Sequence, residues 1–233
     1  MLRADISKIS ILNSNEENIL LKNISFNLDP NVIYTILGEN GSGKSTLIKS
    51  LTLLPDRRFF RIDGKIYWNG KNLFEASEEE LIMLRKNQIR YVFQDCINSF
   101  DPLKRISYYF DWMVEDKQQL NELLEYFNLP EQTELGKLYP YELSGGMAQR
   151  IAIVLAAIVK PKLLILDEPT SAADTAVINL LIHFLRDYVS DGNNSVLIVT
   201  QDLLFAEKVS DMIAEIKNHT LTEFQVNQSV GLK

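Results

Sequence analysis

The nonapeptide GENGSGKST, Gly38–Thr46, is the most informative stretch of this sequence. It follows the apolar run Val32–Leu37 and precedes a helical pattern at Leu47–Leu51. Glycines allow consecutive backbone N–H groups to converge on an anion, and the N-terminus of the next helix adds partial positive charge. The pattern G-x-x-x-x-G-K-[ST] predicts a phosphate-binding loop, in which Lys44 reaches the β- and γ-phosphates and Ser45 holds Mg²⁺. The residues expected to bind nucleotide here are Gly38, Glu39, Asn40, Gly41, Ser42, Gly43, Lys44, Ser45 and Thr46.

The length allows one large α/β domain or two small ones, and we expect one core with an inserted subdomain and no basic character. The 233 residues suffice for a substantial core. Lys and Arg number 24 against 31 Asp and Glu, a net charge of -7, which argues against a nucleic-acid partner. The single cysteine, Cys96, excludes an internal disulfide and a cysteine-rich metal site, and we expect it to be a small buried side chain.

No apolar run approaches the length of about 20 residues that a membrane span needs. The longest, Ile151–Val159, ends at Lys160-Pro161 and predicts a core helix. The N-terminus also lacks the apolar stretch of a signal peptide. We expect a cytoplasmic protein without direct membrane insertion, whose membrane role, if any, comes through a partner.

Three stretches alternate between apolar and polar residues and predict a small antiparallel sheet. Ile6–Ile11 and Ile24–Leu28 lie on either side of the turn-like Asn13–Asn15, and Ile62–Gly70 ends in Asn-Gly. The helical spacing of Glu78–Ile89 then leads to Tyr91–Phe93, which is typical of a short buried strand and ends at Gln94.

A helical pattern replaces the strands after Gln94. Leu120, Leu123, Leu124 and Phe127 share one helix face, so we expect an inserted helical subdomain over about residues 95–140. Strands Leu163–Leu166 and Val196–Thr200 then alternate with helices, including one from about Thr175 to Val189. Continuous apolar strands alternating with helices indicate a parallel sheet covered on both faces.

Two further motifs carry chemistry. The strand Leu163–Leu166 ends in Asp167, which can help hold Mg²⁺, and Glu168, which can polarise the water that attacks the γ-phosphate. In LSGGMAQR, Leu143–Arg150, Ser144 is a good helix N-cap, and the two glycines leave backbone amides free for a phosphate. One phosphate loop needs no second such helix start, whereas two chains facing each other head to tail would each complete the other's site.

Together these motifs resemble, in order and spacing, the nucleotide-binding domain of ATP-binding-cassette (ABC) ATPases. The resemblance spans essentially the whole chain and implies the P-loop ABC-ATPase fold as one domain, residues 1–233, with a mainly parallel core sheet, a small antiparallel subdomain and the helical insert. It also implies ATP and Mg²⁺ as ligands. Gln94 would couple Mg²⁺ and the γ-phosphate to transmembrane permease subunits. The opposite subunit's γ-phosphate would be bound by Ser144, Gly145 and Gly146, and the dimer seam would contain Asp174 in Ser171–Asp174.

A finer resemblance points to one branch of the family. FQDCINSFDP, Phe93–Pro102, and SGGM, Ser144–Met147, are similar to the corresponding stretches of peptide and nickel importers. The sequence stops at Lys233 without the cysteine-containing extension of the longer peptide importers, so we expect the shorter nickel and metallophore-type members to be the closer comparison. The permease is expected to dock on the insert, at Ser99–Pro102 and Tyr108–Phe110, although core packing explains these aromatic residues equally well.

Two positions depart from the family pattern. The triplet after the strand Val196–Thr200 is Thr-Gln-Asp, and Gln201 replaces the usual histidine that contacts the γ-phosphate. Glutamine offers a neutral hydrogen bond but neither the geometry nor the charge of imidazole. No aromatic residue precedes Phe26, whereas the family usually has one near Leu12 that stacks on adenine.

Three functions are consistent with these motifs. The favoured one is the ATP-hydrolysing subunit of a membrane importer of peptides, nickel or metal chelates, paired with a second ABC subunit, identical or not, at the inner face of the membrane. The alternatives are a slowly hydrolysing or regulatory subunit of a heterodimer, motivated by Gln201, and a non-transport ABC ATPase that acts on nucleic acid or ribosomes.

Overall fold

The computed structural model describes residues 1–13, 16–171, 173–190 and 192–229. Ser14 and Asn15 of the predicted turn, Ala172 of the predicted dimer-seam motif and the terminal Lys233 lie outside the described residues. The strands are β1 (Leu2–Asn13), β2 (Glu16–Leu28), β3 (Ile33–Leu37), β4 (Phe60–Trp68), β5 (Lys71–Asn72), β6 (Ile89–Val92), β7 (Leu163–Asp167), β8 (Ser195–Thr200), β9 (Met212–Lys217), β10 (Thr220–Leu221) and β11 (Gln225–Val226). The helices are α1 (Lys44–Ser50), α2 (Glu78–Asn87), α3 (Ile106–Met113), α4 (Lys117–Tyr126), α5 (Gln132–Leu135), α6 (Gly145–Ala157), α7 (Thr175–Ser190) and α8 (Leu203–Val209).

The predicted antiparallel sheet is present, with the strand order β2-β1-β4-β5. Both long strands pair with β1 in antiparallel register, β2 on one side and β4 on the other. The Asn69-Gly70 turn joins β4 to β5, and both of its residues have positive φ, 49° and 83°, as a tight hairpin turn requires. The alternation in the sequence therefore identified these strands correctly.

The core sheet has the order β10-β9-β3-β8-β7-β6, and the pairings among β9, β3, β8, β7 and β6 are all parallel. Successive residues of its strands face two different cores. Leu164, Leu166 and Ile198 pack with α6, α7 and the helical insert, whereas Leu163 and Ile165 pack with α1 and the antiparallel sheet. Burial on both faces explains why these strands are continuously apolar.

Two predicted boundaries differ from the structure. The helix predicted at Glu78–Ile89 ends at Asn87, because the Gln88 carbonyl accepts a hydrogen bond from Leu163 N and Ile89 pairs with Leu163 in the parallel sheet. The helix predicted to run to Val159 ends at Ala157, and Lys160 turns the chain with a φ of 49°. Sheet pairing and a local turn therefore override the helical spacing at these two ends.

The helical insert shares one apolar core with α6, α7 and one face of the core sheet. Its buried side chains include Leu120, Leu124 and Phe127, as the shared helix face predicted. Phe100 and Phe110 are also buried in this core, whereas Tyr108 is 48% exposed. The aromatic residues proposed for docking therefore divide between core packing and surface.

Candidate nucleotide site

The phosphate loop lies between β3, inside the core sheet, and α1. Parallel strands direct their carboxyl ends to one edge, so the loop after β3 lies at the same edge as the residues after β7 and β8. This placement brings the two predicted motifs together, although they are more than a hundred residues apart in the sequence.

Lys44 is held inside the loop. Its side chain is 6% exposed, and Nζ donates hydrogen bonds to the carbonyls of Gly38 at 2.8 Å and Glu39 at 3.0 Å. The same nitrogen lies 3.2 Å from Oε1 of Glu168, and that oxygen has no hydrogen-bond partner among the described residues. The contact is therefore an ion pair without hydrogen-bond geometry, and it joins the loop to the carboxylate after β7.

Asp167 contacts the other end of the loop. Its Oδ1 accepts a hydrogen bond of 3.0 Å from the Ser45 hydroxyl. Burial raises the pKa of Asp167 above its usual range, while the hydrogen bond from Ser45 and the charge of Lys49 act in the opposite direction. Ser45 and Asp167 line a cleft of about 520 Å³ together with Gln94, whose side chain is exposed to it.

The carboxylate of Glu168 is fixed by β8. Thr200 Oγ1 donates to Oε2 at 2.9 Å, and the backbone N–H of Gln201 donates to the same oxygen at 3.3 Å. The backbone of Glu168 adopts a φ of 48°, and its carbonyl accepts a 3.3 Å hydrogen bond from Gln149 Nε2. A non-glycine residue with positive φ at this position is an outlier of the kind found at functional sites.

The sequence interpretation missed two of these contacts. Thr200 was treated only as the last residue of a strand, and Gln149 only as part of the LSGGMAQR motif. Both side chains are buried, and Thr200 is 0% exposed. A polar residue at the end of an otherwise apolar strand was the available signal for Thr200, because a buried hydroxyl needs a partner.

Gln201 contributes its backbone to the site, whereas its side chain is exposed. No hydrogen bond of the amide group occurs among the described residues. The Gln201 side chain, which replaces the usual histidine, is therefore available for contact at the edge of the core sheet where the γ-phosphate is expected to lie.

The LSGGMAQR motif forms the start of α6, as predicted. The Ser144 hydroxyl accepts a hydrogen bond from Met147 N at 3.2 Å and caps the helix. Ser144 and Gly145 are exposed, and the described residues that line the cleft at Ser45 do not include this motif. Ser144 and Gly145 are thus presented at the surface, whereas Gln149 of the same motif is buried and bonds to the Glu168 carbonyl.

Asp174 caps the next helix in a similar way. Its Oδ1 accepts a 2.9 Å hydrogen bond from Val177 N at the start of α7. Cys96, two residues after Gln94, is 4% exposed and donates to the carbonyl of Phe93. Burial raises the pKa of its thiol to about 12, so the cysteine is the buried side chain that was predicted.

The donor set around Ser45 fits magnesium better than a transition metal. Within the described ranges no group of three or more His, Cys, Asp and Glu is arranged for a metal ion. Mg²⁺ takes oxygen ligands and is commonly held by one or two carboxylates together with substrate phosphates and water. Ser45, Gln94 and Asp167 supply oxygen atoms on one cleft, which is consistent with that mode of binding.

A family model described as ABC transporter matches residues 21–171, from β2 through the phosphate loop and the carboxylates after β7. The chain belongs to the ABC transporter family. The resemblance inferred from the motifs is confirmed.

Several relatives of this ABC protein are named for transport. The peptidoglycan transport ATP-binding protein YejF of Agrobacterium fabrum is 33% identical over 216 residues, 88% of this chain and 40% of that protein. The metal-staphylopine import system ATP-binding protein CntD of Staphylococcus aureus is 31% identical over 97% of this chain and 86% of that protein. The dipeptide transport ATP-binding protein DppD of Lactococcus lactis is 32% identical over 83% of this chain and 60% of that protein. The chain therefore spans less than two thirds of YejF and DppD but most of CntD, and the predicted likeness to the peptide and nickel importer branch is confirmed.

Solved structures of ABC cassettes share the fold. The cassette MJ0796, in a dimeric post-hydrolysis state bound to ADP and Pi, superposes with a TM-score of 0.82 at 23% identity, over 98% of this chain and 99% of that chain. A second dimeric structure of MJ0796 gives 0.83 with the same coverage. These matches confirm the predicted fold class. No helix in the described part of the chain is both long and apolar enough to cross a bilayer.

Proposed function

We propose that this chain is the ATP-hydrolysing subunit of an ABC importer for peptides, nickel or metal chelates. The observation that carries the proposal is the cleft that places Ser45, Asp167 and Gln94 together, beside the Lys44–Glu168 pair. The relatives DppD and CntD, named for dipeptide transport and metal-staphylopine import, support this class of cargo.

In this proposal each residue of the site has a distinct role. The backbone of Gly38–Thr46 surrounds the phosphates, and Lys44 exchanges its contacts in the loop for the β- and γ-phosphates. Ser45, Asp167 and Gln94 hold Mg²⁺, which neutralises charge on the phosphates when it is bound. Glu168 accepts a proton from the attacking water, and Thr200 and the Gln201 N–H keep its carboxylate in place.

The proposed partners are a second ABC subunit and a pair of transmembrane permease subunits. Ser144 and Gly145 are exposed and Gly146 is half-buried, so the start of α6 is accessible to the nucleotide of another chain. Such an arrangement makes hydrolysis depend on dimerisation on ATP. The permease would place this chain at the inner face of the membrane, with Gln94 linking the nucleotide to the docking surface of the insert.

A second candidate function is a slow or regulatory subunit in a heterodimer with a more active paralogue. The exposed amide of Gln201 favours it, because this position lacks the imidazole usual in the family. Loss of one preorganised donor typically lowers a rate by about 10²–10³-fold. In this arrangement the chain would lend its intact Ser144–Gly146 motif to the paralogue's site.

One experiment separates the two candidates. The complex with its permease is reconstituted in vesicles, and Mg²⁺-ATP hydrolysis and cargo uptake are measured for the wild type and for Glu168→Gln and Gln201→His variants of this chain. The importer function predicts uptake that requires Glu168 and wild-type turnover within about tenfold of Gln201→His.

Two other results would speak against the importer function in the form proposed here. Turnover that rises about 10²-fold or more in Gln201→His assigns the chain to the slow, regulatory class. Complexes that neither hydrolyse ATP nor transport cargo, although the chain is folded and bound to the permease, would contradict the importer function.

A further inference from the structure

The backbone carbonyl of Glu168 joins the turn after β7 to helix α6. Ser171 N donates to this oxygen at 3.2 Å and closes the turn. The second donor is Gln149 Nε2, at 3.3 Å. Among the described residues these are the two hydrogen bonds to this oxygen, so Gln149 is its connection to an element outside its own turn.

Gln149 is a buried polar residue of α6. It is 4% exposed, and its helix neighbours Ala148 and Ile151 are fully buried. An amide in such surroundings is unfavourable unless it is hydrogen-bonded. A carbonyl oxygen can only accept, so the NH₂ group of the amide must be the part that faces Glu168. The side chain of Gln149 therefore ties the position of α6 to the backbone of Glu168.

The backbone of Glu168 also determines where its carboxylate lies. Its φ of 48° is a conformation that a non-glycine residue keeps only where the surrounding structure holds it. The N–H of Glu168 donates to the Val199 carbonyl at 2.9 Å, and its Oε2 accepts from Thr200. Strand β8 thus holds the backbone nitrogen and the carboxylate, whereas α6 holds the carbonyl.

The other end of α6 carries the residues proposed to meet the nucleotide of a second chain. Ser144 is exposed and caps the helix by accepting a hydrogen bond from Met147 N at 3.2 Å. Gln149 follows Ser144 by five residues, which is about one and a half helical turns. A displacement of the exposed helix start therefore reaches the carbonyl of Glu168 over a short stretch of regular helix.

We infer that Gln149 is a positioning residue that couples the start of α6 to Glu168. The inference rests on the proposed function, because it assumes hydrolysis by a pair of chains. The Nε2–O distance of 3.3 Å exceeds the usual 2.9–3.0 Å, so a shift of α6 by about 0.3 Å toward β7 brings the bond to its normal length. Contact between α6 and the nucleotide of the second chain thereby adjusts the residue that accepts the proton.

The contact itself is tested with Gln149→Met, which keeps an unbranched side chain and a good helix former but removes the donor. Mg²⁺-ATP hydrolysis is measured in the complex with the permease, together with the melting temperature. We expect kcat to fall about 2- to 13-fold, the effect of one neutral hydrogen bond, with KM little changed. Gln149→Leu is a second replacement without a donor and should behave in the same way.

The coupling is tested by combining Gln149→Met with Ser144→Ala. If both residues act along one path, the loss of kcat in the double variant is smaller than the product of the two single losses. The matched control combines Ser144→Ala with Thr200→Val. Thr200 holds the carboxylate from β8, independently of α6, so these two losses should multiply.

Losses that multiply for Ser144 and Gln149, or an unchanged kcat in Gln149→Met, would overturn the inference while the ATPase function stands. Equal departures from multiplication in the test pair and the control pair would also overturn it, since the coupling would then not pass through Gln149. Loss of folding in both Gln149 variants would show a structural role instead. A folded wild-type complex that does not hydrolyse ATP would contradict the proposed function and the inference together.

Discussion

At the scale of single residues, the site is organised around one carboxylate. Glu168 meets Lys44 through one oxygen and β8 through the other. The Thr200 hydroxyl accepts a hydrogen bond of 3.0 Å from the N–H of Asp202, so its single proton is directed to Glu168 Oε2. Thr200 therefore holds the carboxylate in a fixed orientation from a fully buried position, which makes it a positioning residue.

Removing the Thr200 hydroxyl should lower turnover more than binding. Thr200→Val keeps the shape of the side chain in a site that is 0% exposed, and it deletes the hydrogen bond to Glu168 together with the one accepted from Asp202 N. A hydrogen bond to a charged group contributes about 1.5–3 kcal/mol, so we expect kcat for Mg²⁺-ATP to fall about tenfold or more with little change in KM.

Thr200→Ser is the control, because it retains the hydroxyl and should recover most of the activity. A Thr200→Val enzyme with unchanged kcat would show that Glu168 does not depend on this contact. A parallel loss of ATP affinity and thermal stability would indicate a merely structural role.

At the scale of secondary-structure elements, the antiparallel sheet depends on one close approach. Gly64 of β4 pairs with Ile6 where the β1–β4 register shifts, and its φ is 144°. A side-chain carbon at Gly64 would lie 2.3 Å from the Asp5 carbonyl oxygen, nearer than any real contact. The two strands can therefore pair here only with glycine at this position.

Gly64→Ala should destabilise the whole domain. The substitution combines an unfavourable φ with a backbone clash, so the free energy of unfolding should fall by more than about 1 kcal/mol. Thermal unfolding followed by circular dichroism measures the change.

The matched variant is Gly70→Ala in the β4–β5 turn, where φ is 83° and no atom lies within 4 Å of the added carbon. It should shift the melting temperature less than Gly64→Ala. Equal shifts in the two variants would mean that backbone strain alone, and not the contact with Asp5, accounts for the loss.

Strands and helices were predicted best where apolar residues recur in the sequence with a clear local pattern. Alternation identified β1, β2 and β4, and continuous apolar runs identified β7 and β8. The end of α2 was missed because the carbonyl of Gln88 bonds to Leu163, a contact distant in sequence that no local period encodes. The segments α8, β9, β10 and β11 were not predicted.

The candidate site was predictable where a motif requires particular residue types. The phosphate loop, Asp167 and Glu168 followed from such motifs, and the structure brings them together. The Lys44–Glu168 pair and the contact from Thr200 depend on how β7 and β8 align in the sheet.

At the scale of the whole molecule, the phosphate loop and the exposed start of α6 lie apart, and we propose that they belong to two different nucleotide sites. The phosphate loop, Asp167 and Glu168 lie together at one edge of the core sheet, beside the cleft that Ser45 and Asp167 line. Ser144 and Gly145 are exposed at the start of α6, and the described residues that line this cleft do not include them. The cassette MJ0796, which shares the fold, has been solved as a dimer. The proposed function of this chain likewise needs two subunits for each round of hydrolysis.

The most direct test is the rate of Mg²⁺-ATP hydrolysis by the purified chain over a wide range of protein concentration, with Glu168→Gln as the inactive control. We expect activity per chain to rise with concentration, because dimerisation would complete the proposed site, and to be absent in Glu168→Gln. A constant activity per chain down to the lowest concentration, or hydrolysis that persists in Glu168→Gln, would contradict the proposed two-chain mechanism.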